Sequence, residues 1–68
     1  MPIIKVSIAE GKPENELREL ITALHEAAEQ HVGASPDGTT VLIEEVPLTH
    51  WSRGDVTIAE RRGQVKGA

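Results

Sequence analysis

Proline at position 2, directly behind Met1, holds the chemistry that sets this sequence apart. Once Met1 is removed, the proline nitrogen becomes a free secondary amine. An α-amino group titrates at about 7.7–8.0, so a modest downward shift makes it a base at neutral pH. Such a group can take a proton from one substrate atom and return it to another. The remaining titratable residues offer less. His25 and His31 lie six positions apart, on different sides of a helix rather than on the i, i+4 face of a helical metal pair. No metal site is expected. Glu44 and Glu45 are adjacent, and neighbours in a strand point to opposite faces, so they do not form a catalytic dyad. His50 has no positioned partner and reads as a structural or surface residue.

The elements that must position Pro2 follow from pattern. Ile4, Val6 and Ile8 alternate with Ile3, Lys5 and Ser7, which predicts a first strand ending near Ala9. Proline is tolerated at a strand start, where no ladder bond depends on its missing N–H. Residues 10–13, Glu-Gly-Lys-Pro, form a turn in which Gly11 is free to take positive φ and Pro13 suits the first helical position. A helix is predicted over 14–31, with an apolar stripe of Leu17, Leu20, Ile21, Leu24, Ala27, Ala28 and Val32 and with Gly33 as its stop. The loop 34–38 leads to a second, β-branched strand over 39–46 that ends at Pro47. Residues 48–51 read as a link with one short helical turn. Residues 52–58 read as a turn with a short strand or hairpin arm, and the end of the polar tail from Glu60 to Ala68 as loosely held.

The fold class is α/β: one βαβ unit with parallel strands and a C-terminal hairpin arm, in a single domain over 1–68. A chain of 68 residues buries little surface by itself, and with no cysteine it has no disulfide staple. Two parallel strands with one helix leave two open edges and one bare face. Assembly through the sheet edges is therefore expected. The net charge of −4, without a basic stripe interleaved with aromatics, argues against nucleic acid. No apolar run reaches membrane-spanning length, and a cytoplasmic protein with no membrane partner is expected.

Pro2 behind Met1, the apolar strand running into Glu10-Gly11-Lys12, a helix of this length, the strand Val41-Leu42-Ile43-Glu44-Glu45 and the pair His50-Trp51 together resemble the tautomerase superfamily, in particular its short 4-oxalocrotonate tautomerase group. The resemblance spans about residues 2–62. It implies an isomerase of small unsaturated 2-oxo and 2-hydroxy carboxylates, with a role in aromatic catabolism. Pro2 would be the general base, and no cofactor is implied. It also implies a homo-hexamer built as a trimer of dimers, with sites shared between subunits. Lys12 stands where the family usually has an arginine, and Trp51 where it has a site-lining aromatic. Thr40 stands where well-studied members carry a second arginine, and Ser52-Arg53-Gly54-Asp55 replaces the usual Gly-x-Gly-Gly. One carboxylate-binding arginine is thus lost and the other is a lysine, a point charge without arginine's bidentate fork. Arg53, Arg61 or Arg62 of a neighbouring subunit are candidates to supply the lost cation.

In this reading Lys12 stabilises charge on the substrate oxygen, while burial beside Trp51 and nearby cations lower the Pro2 amine. Each residue also has a plainer role open to it. Lys12 would be a solvated residue before a helix, Trp51 an interface anchor, and Arg53 a surface charge. Two other functions share the sequence features: a hydratase or dehalogenase of the same superfamily, and a non-catalytic oligomeric binding protein if Met1 is retained.

Overall fold

The computed structural model describes residues 2–67. The first strand, β1 (Ile3–Ala9), runs parallel to the second, β2 (Thr40–Val46), and the helix α1 (Glu14–Val32) connects them. Short 3-10 turns, Pro36–Gly38 and Leu48–His50, flank β2, and a second helix, α2 (Ile58–Gly67), follows. Ile3 pairs with Thr40 and Ala9 with Val46, so the two strands start and finish level.

Local chemistry sets the boundaries. Gly11 adopts φ 113° in the turn after β1. Pro13 is the N-cap of α1 rather than its first helical residue, and its carbonyl accepts the N–H groups of Glu16 (3.1 Å) and Leu17 (3.2 Å). Gly33 takes the left-handed conformation, φ 65°, and ends the helix with its N–H on the Glu29 carbonyl at 3.2 Å. Thr39 lies outside β2 and is buried, its Oγ1 donating to the Ser35 carbonyl at 3.0 Å. The hairpin arm is reduced to one antiparallel bridge between Ser52 and Thr57, with the Arg53 N–H on the Val56 carbonyl at 2.9 Å.

The tail's last residue, Ala68, lies outside the described residues, and the helix α2 takes the place of the end of the expected arm and the start of the polar tail. The reason is a capping box. The Glu60 N–H donates to Thr57 Oγ1 at 3.0 Å, and the Thr57 N–H donates to Glu60 Oε1 at 3.1 Å. The pattern Thr57-x-x-Glu60 is a helix-start signature that was readable in the sequence.

Little of this chain is interior. Leu17 and Ala28 are the buried apolar residues, and among the described residues no side chain is fully buried. Leu20, Ile21 and Leu24 are half-buried, whereas Ala27 and Val32 of the predicted stripe stand exposed. Nineteen helical residues extend about 28 Å at 1.5 Å each. Seven-residue strands reach only about 20 Å between their end residues. The helix therefore overhangs the sheet it covers. On the other face of the sheet Ile3 (64% exposed) and Leu42 (52%) are uncovered. The accessible surface is 5265 Å², against about 4,200 Å² for a compact monomer of this mass. The radius of gyration is 15.9 Å, against about 11 Å expected.

Candidate active site

Pro2 is half-buried at the start of β1. Its carbonyl accepts the Thr40 N–H at 3.0 Å, which fixes the two residues side by side at one end of the sheet. Pro2 also lines a cleft of about 690 Å³ with Val32, Gly33, Ala34, Ser35 and Gly38. That cleft lies against the C-terminal end of α1.

The other sequence-selected residues lie at the opposite end. Lys12 is exposed in the turn after β1, in a cleft of about 770 Å³ that it shares with the carboxylates Glu10 and Glu45 and with Pro47, Leu48 and Thr49. Trp51, 37% exposed, follows the Leu48–His50 turn, and its carbonyl accepts the Ile58 N–H at 2.7 Å. Trp51 and Arg53 line a separate cleft of about 390 Å³ with Ala9, Leu48, Ile58 and Arg62. Leu48 borders both this cleft and that of Lys12. Arg61 is turned to another use, with Nη2 donating to the Arg53 carbonyl at 2.9 Å.

The chain thus brings Pro2 to Thr40, and it brings Lys12, Trp51 and Arg53 to one neighbourhood. The two groups are held apart by the length of the strands, about 20 Å from the Ile3–Thr40 pair to the Ala9–Val46 pair. The glutamate pair divides as expected. Glu44 accepts from Ser7 Oγ at 3.0 Å on one face, and Glu45 lines the Lys12 cleft. His50 is exposed, its N–H on the Pro47 carbonyl at 2.9 Å. Among the described residues no group of three or more His, Cys, Asp or Glu is placed to hold a metal ion. No described helix is long and apolar enough to cross a membrane.

The span from Pro2 to Arg61 has a counterpart in known proteins. Residues 2–61 match the sequence model of the family described as tautomerase enzyme. The chain belongs to the tautomerase family. A probable tautomerase of Staphylococcus epidermidis is 38% identical over 56 residues, covering 82% of this chain and 92% of that protein. The crystal structure of TomN, a 4-oxalocrotonate tautomerase homologue in the tomaymycin biosynthetic pathway, superposes with a TM-score of 0.88 at 35% identity, over 91% of this chain and 95% of TomN. A heterohexameric 4-oxalocrotonate tautomerase from Chloroflexus aurantiacus gives 0.81 at 32% identity, over 88% and 97% of the respective chains. The architecture of a strand, a helix, a parallel strand and a short C-terminal segment is that of the 4-oxalocrotonate tautomerase homologues. Membership makes an isomerase-type enzyme the class to which this chain belongs.

Proposed function

We propose that the protein interconverts the enol and keto forms of small unsaturated 2-hydroxy and 2-oxo carboxylates, with Pro2 as the general base after removal of Met1. The observation that carries this reading is the family match, which begins at Pro2 itself. The neutral amine accepts the 2-hydroxyl proton as the C2 carbonyl forms, and the same proton returns to a carbon along the conjugated chain. No electrons leave the substrate, so the step needs no redox partner. A cation near the C2 oxygen stabilises the charge that grows there. Lys12 takes that role, and Trp51 walls the site against water.

The separation of Pro2 from Lys12 supports a site completed by another subunit. Around Pro2, this chain supplies the C-terminal end of α1, where the helix dipole favours a cation and so opposes a neutral amine. The cations that favour the neutral amine, Lys12 and Arg53, stand at the far end of the sheet. Docking that end of one subunit onto Pro2 of another meets the electrostatic need and covers the bare face of Ile3 and Leu42 together. The proposed assembly is a homo-hexamer.

The test combines intact mass with kinetics. Processed protein should lack Met1, and enol substrates followed by ultraviolet absorbance should turn over. Pro2→Ala should lower kcat on the order of 100-fold or more with the circular dichroism spectrum unchanged. Active protein that retains Met1, or an unchanged kcat/KM in the variant, would sink the proposal.

A further inference from the structure

The cleft beside Trp51 differs in charge from the one beside Lys12. Lys12 shares its surroundings with Glu10 and Glu45, whose charges partly offset its own. The Trp51 cleft has an apolar body of Ala9, Leu48, Trp51 and Ile58, two arginines and no acidic residue. Its volume of about 390 Å³ suits a small molecule. Arg53 and Arg62 approach it from different elements, the arm after Trp51 and the helix α2. Among the described residues, neither guanidinium is engaged in a hydrogen bond or ion pair. Two features hold the arginines in place. The Arg61 guanidinium braces the Arg53 backbone, and the Thr57–Glu60 capping box starts the helix that carries Arg62.

We infer that this cleft is a carboxylate-binding subsite in which Arg62, together with Arg53, holds the acid group, and that it favours a single carboxylate carried on an apolar body. The inference rests on the proposed reading of the substrate as a carboxylate. Guanidinium groups grip a carboxylate through two parallel N–H bonds, which a lysine cannot do. The Trp51 ring and the aliphatic walls suit the uncharged remainder of such a ligand. Arg62 is a binding residue here, since proton transfer belongs to Pro2.

Trp51 is the single tryptophan of the chain, so its fluorescence reports on this cleft directly. The experiment titrates the assembled wild-type protein with hexanoate and, separately, with the neutral hexanamide. Hexanoate should shift the emission saturably, and hexanamide should bind at least about ten-fold more weakly. Arg62→Gln should weaken hexanoate binding by about ten-fold or more, and Arg62→Lys should recover only part of the loss. In turnover of an aryl enolpyruvate, Arg62→Gln should raise KM with little change in kcat. Far-UV circular dichroism checks that the variants keep α2. No saturable shift with hexanoate, equal binding of the amide, or unchanged binding in Arg62→Gln would each overturn the inference. The two readings separate cleanly. Charge-dependent binding without turnover of any enol sinks the proposed activity and leaves the subsite standing, whereas turnover with Arg62→Gln matching wild type does the reverse.

Discussion

At the residue scale, the proposed choice between acids turns on Thr40. Its N–H donates to the Pro2 carbonyl at 3.0 Å, so an uncharged residue is tied next to the proposed base. A second substrate carboxylate reaching that end meets no cation from this chain. A charge-assisted hydrogen bond is worth about 1.5–3 kcal/mol, roughly ten-fold to over a hundred-fold in binding. Wild-type protein is therefore expected to handle aryl or alkyl enolpyruvates relatively better than 2-hydroxymuconate. Thr40→Arg should shift the preference toward the dicarboxylate, mainly through KM, because the added contact forms equally in ground and transition states. Lys12→Ala should lower kcat for both substrates if Lys12 faces the developing oxyanion. Comparing kcat/KM for both substrates across the three proteins checks all of this. A wild type that strongly prefers 2-hydroxymuconate contradicts it.

At the element scale, α2 is the part whose position the binding cleft depends on most, and its start rests on exposed groups. The Glu60 carboxyl is held below its ordinary value of about 4.5, first by the Thr57 backbone N–H and then by the Thr57 hydroxyl. A depressed folded-state pKa contributes stability above the ordinary value, and that contribution is lost as pH falls through the folded value. Acidification should accordingly fray the start of α2. Glu60→Gln should remove this component of the pH dependence, read as the difference between wild-type and variant helicity by circular dichroism on titration into acid. Thr57→Ala should weaken the same cap at neutral pH and, by loosening Arg62, raise KM for a carboxylate substrate. Identical acid titrations for wild type and Glu60→Gln would show that the capping box does not hold the helix.

For the whole molecule, the proposed function makes stability and activity depend on the same assembly. Among the described residues, an isolated chain has only Leu17 and Ala28 as buried apolar residues, and it exposes Ile3 and Leu42 on the bare sheet face. Its surface exceeds that of a compact monomer by on the order of 1,000 Å², comparable to one partner's share of a standard interface. Leu42→Asp places a charge on that face and should yield a smaller species in analytical ultracentrifugation. In parallel, kcat/KM should fall by at least about 100-fold, since Pro2 and Lys12 of different subunits no longer meet. A dissociated variant that keeps full activity would show that one chain suffices.

Much of this protein was legible in order along the chain. The strand alternation, the turn at Gly11 and the helix stop at Gly33 depend on neighbours a few positions away, and short-range sterics and hydrogen bonding decide them. The capping box was equally local, a pattern of four residues whose force was outweighed by the polar, glycine-containing tail around it. What sequence order does not carry is which residues share an end of the sheet. Parallel pairing with level ends sets Pro2 beside Thr40 and carries Lys12 away from both. The placement of α2 then separates the three candidate arginines, turning Arg61 to a backbone carbonyl and Arg62 to the Trp51 cleft. Arg61 and Arg62 are adjacent and chemically identical, so only the direction each takes from the helix distinguishes the brace on Arg53 from the residue that lines the Trp51 cleft.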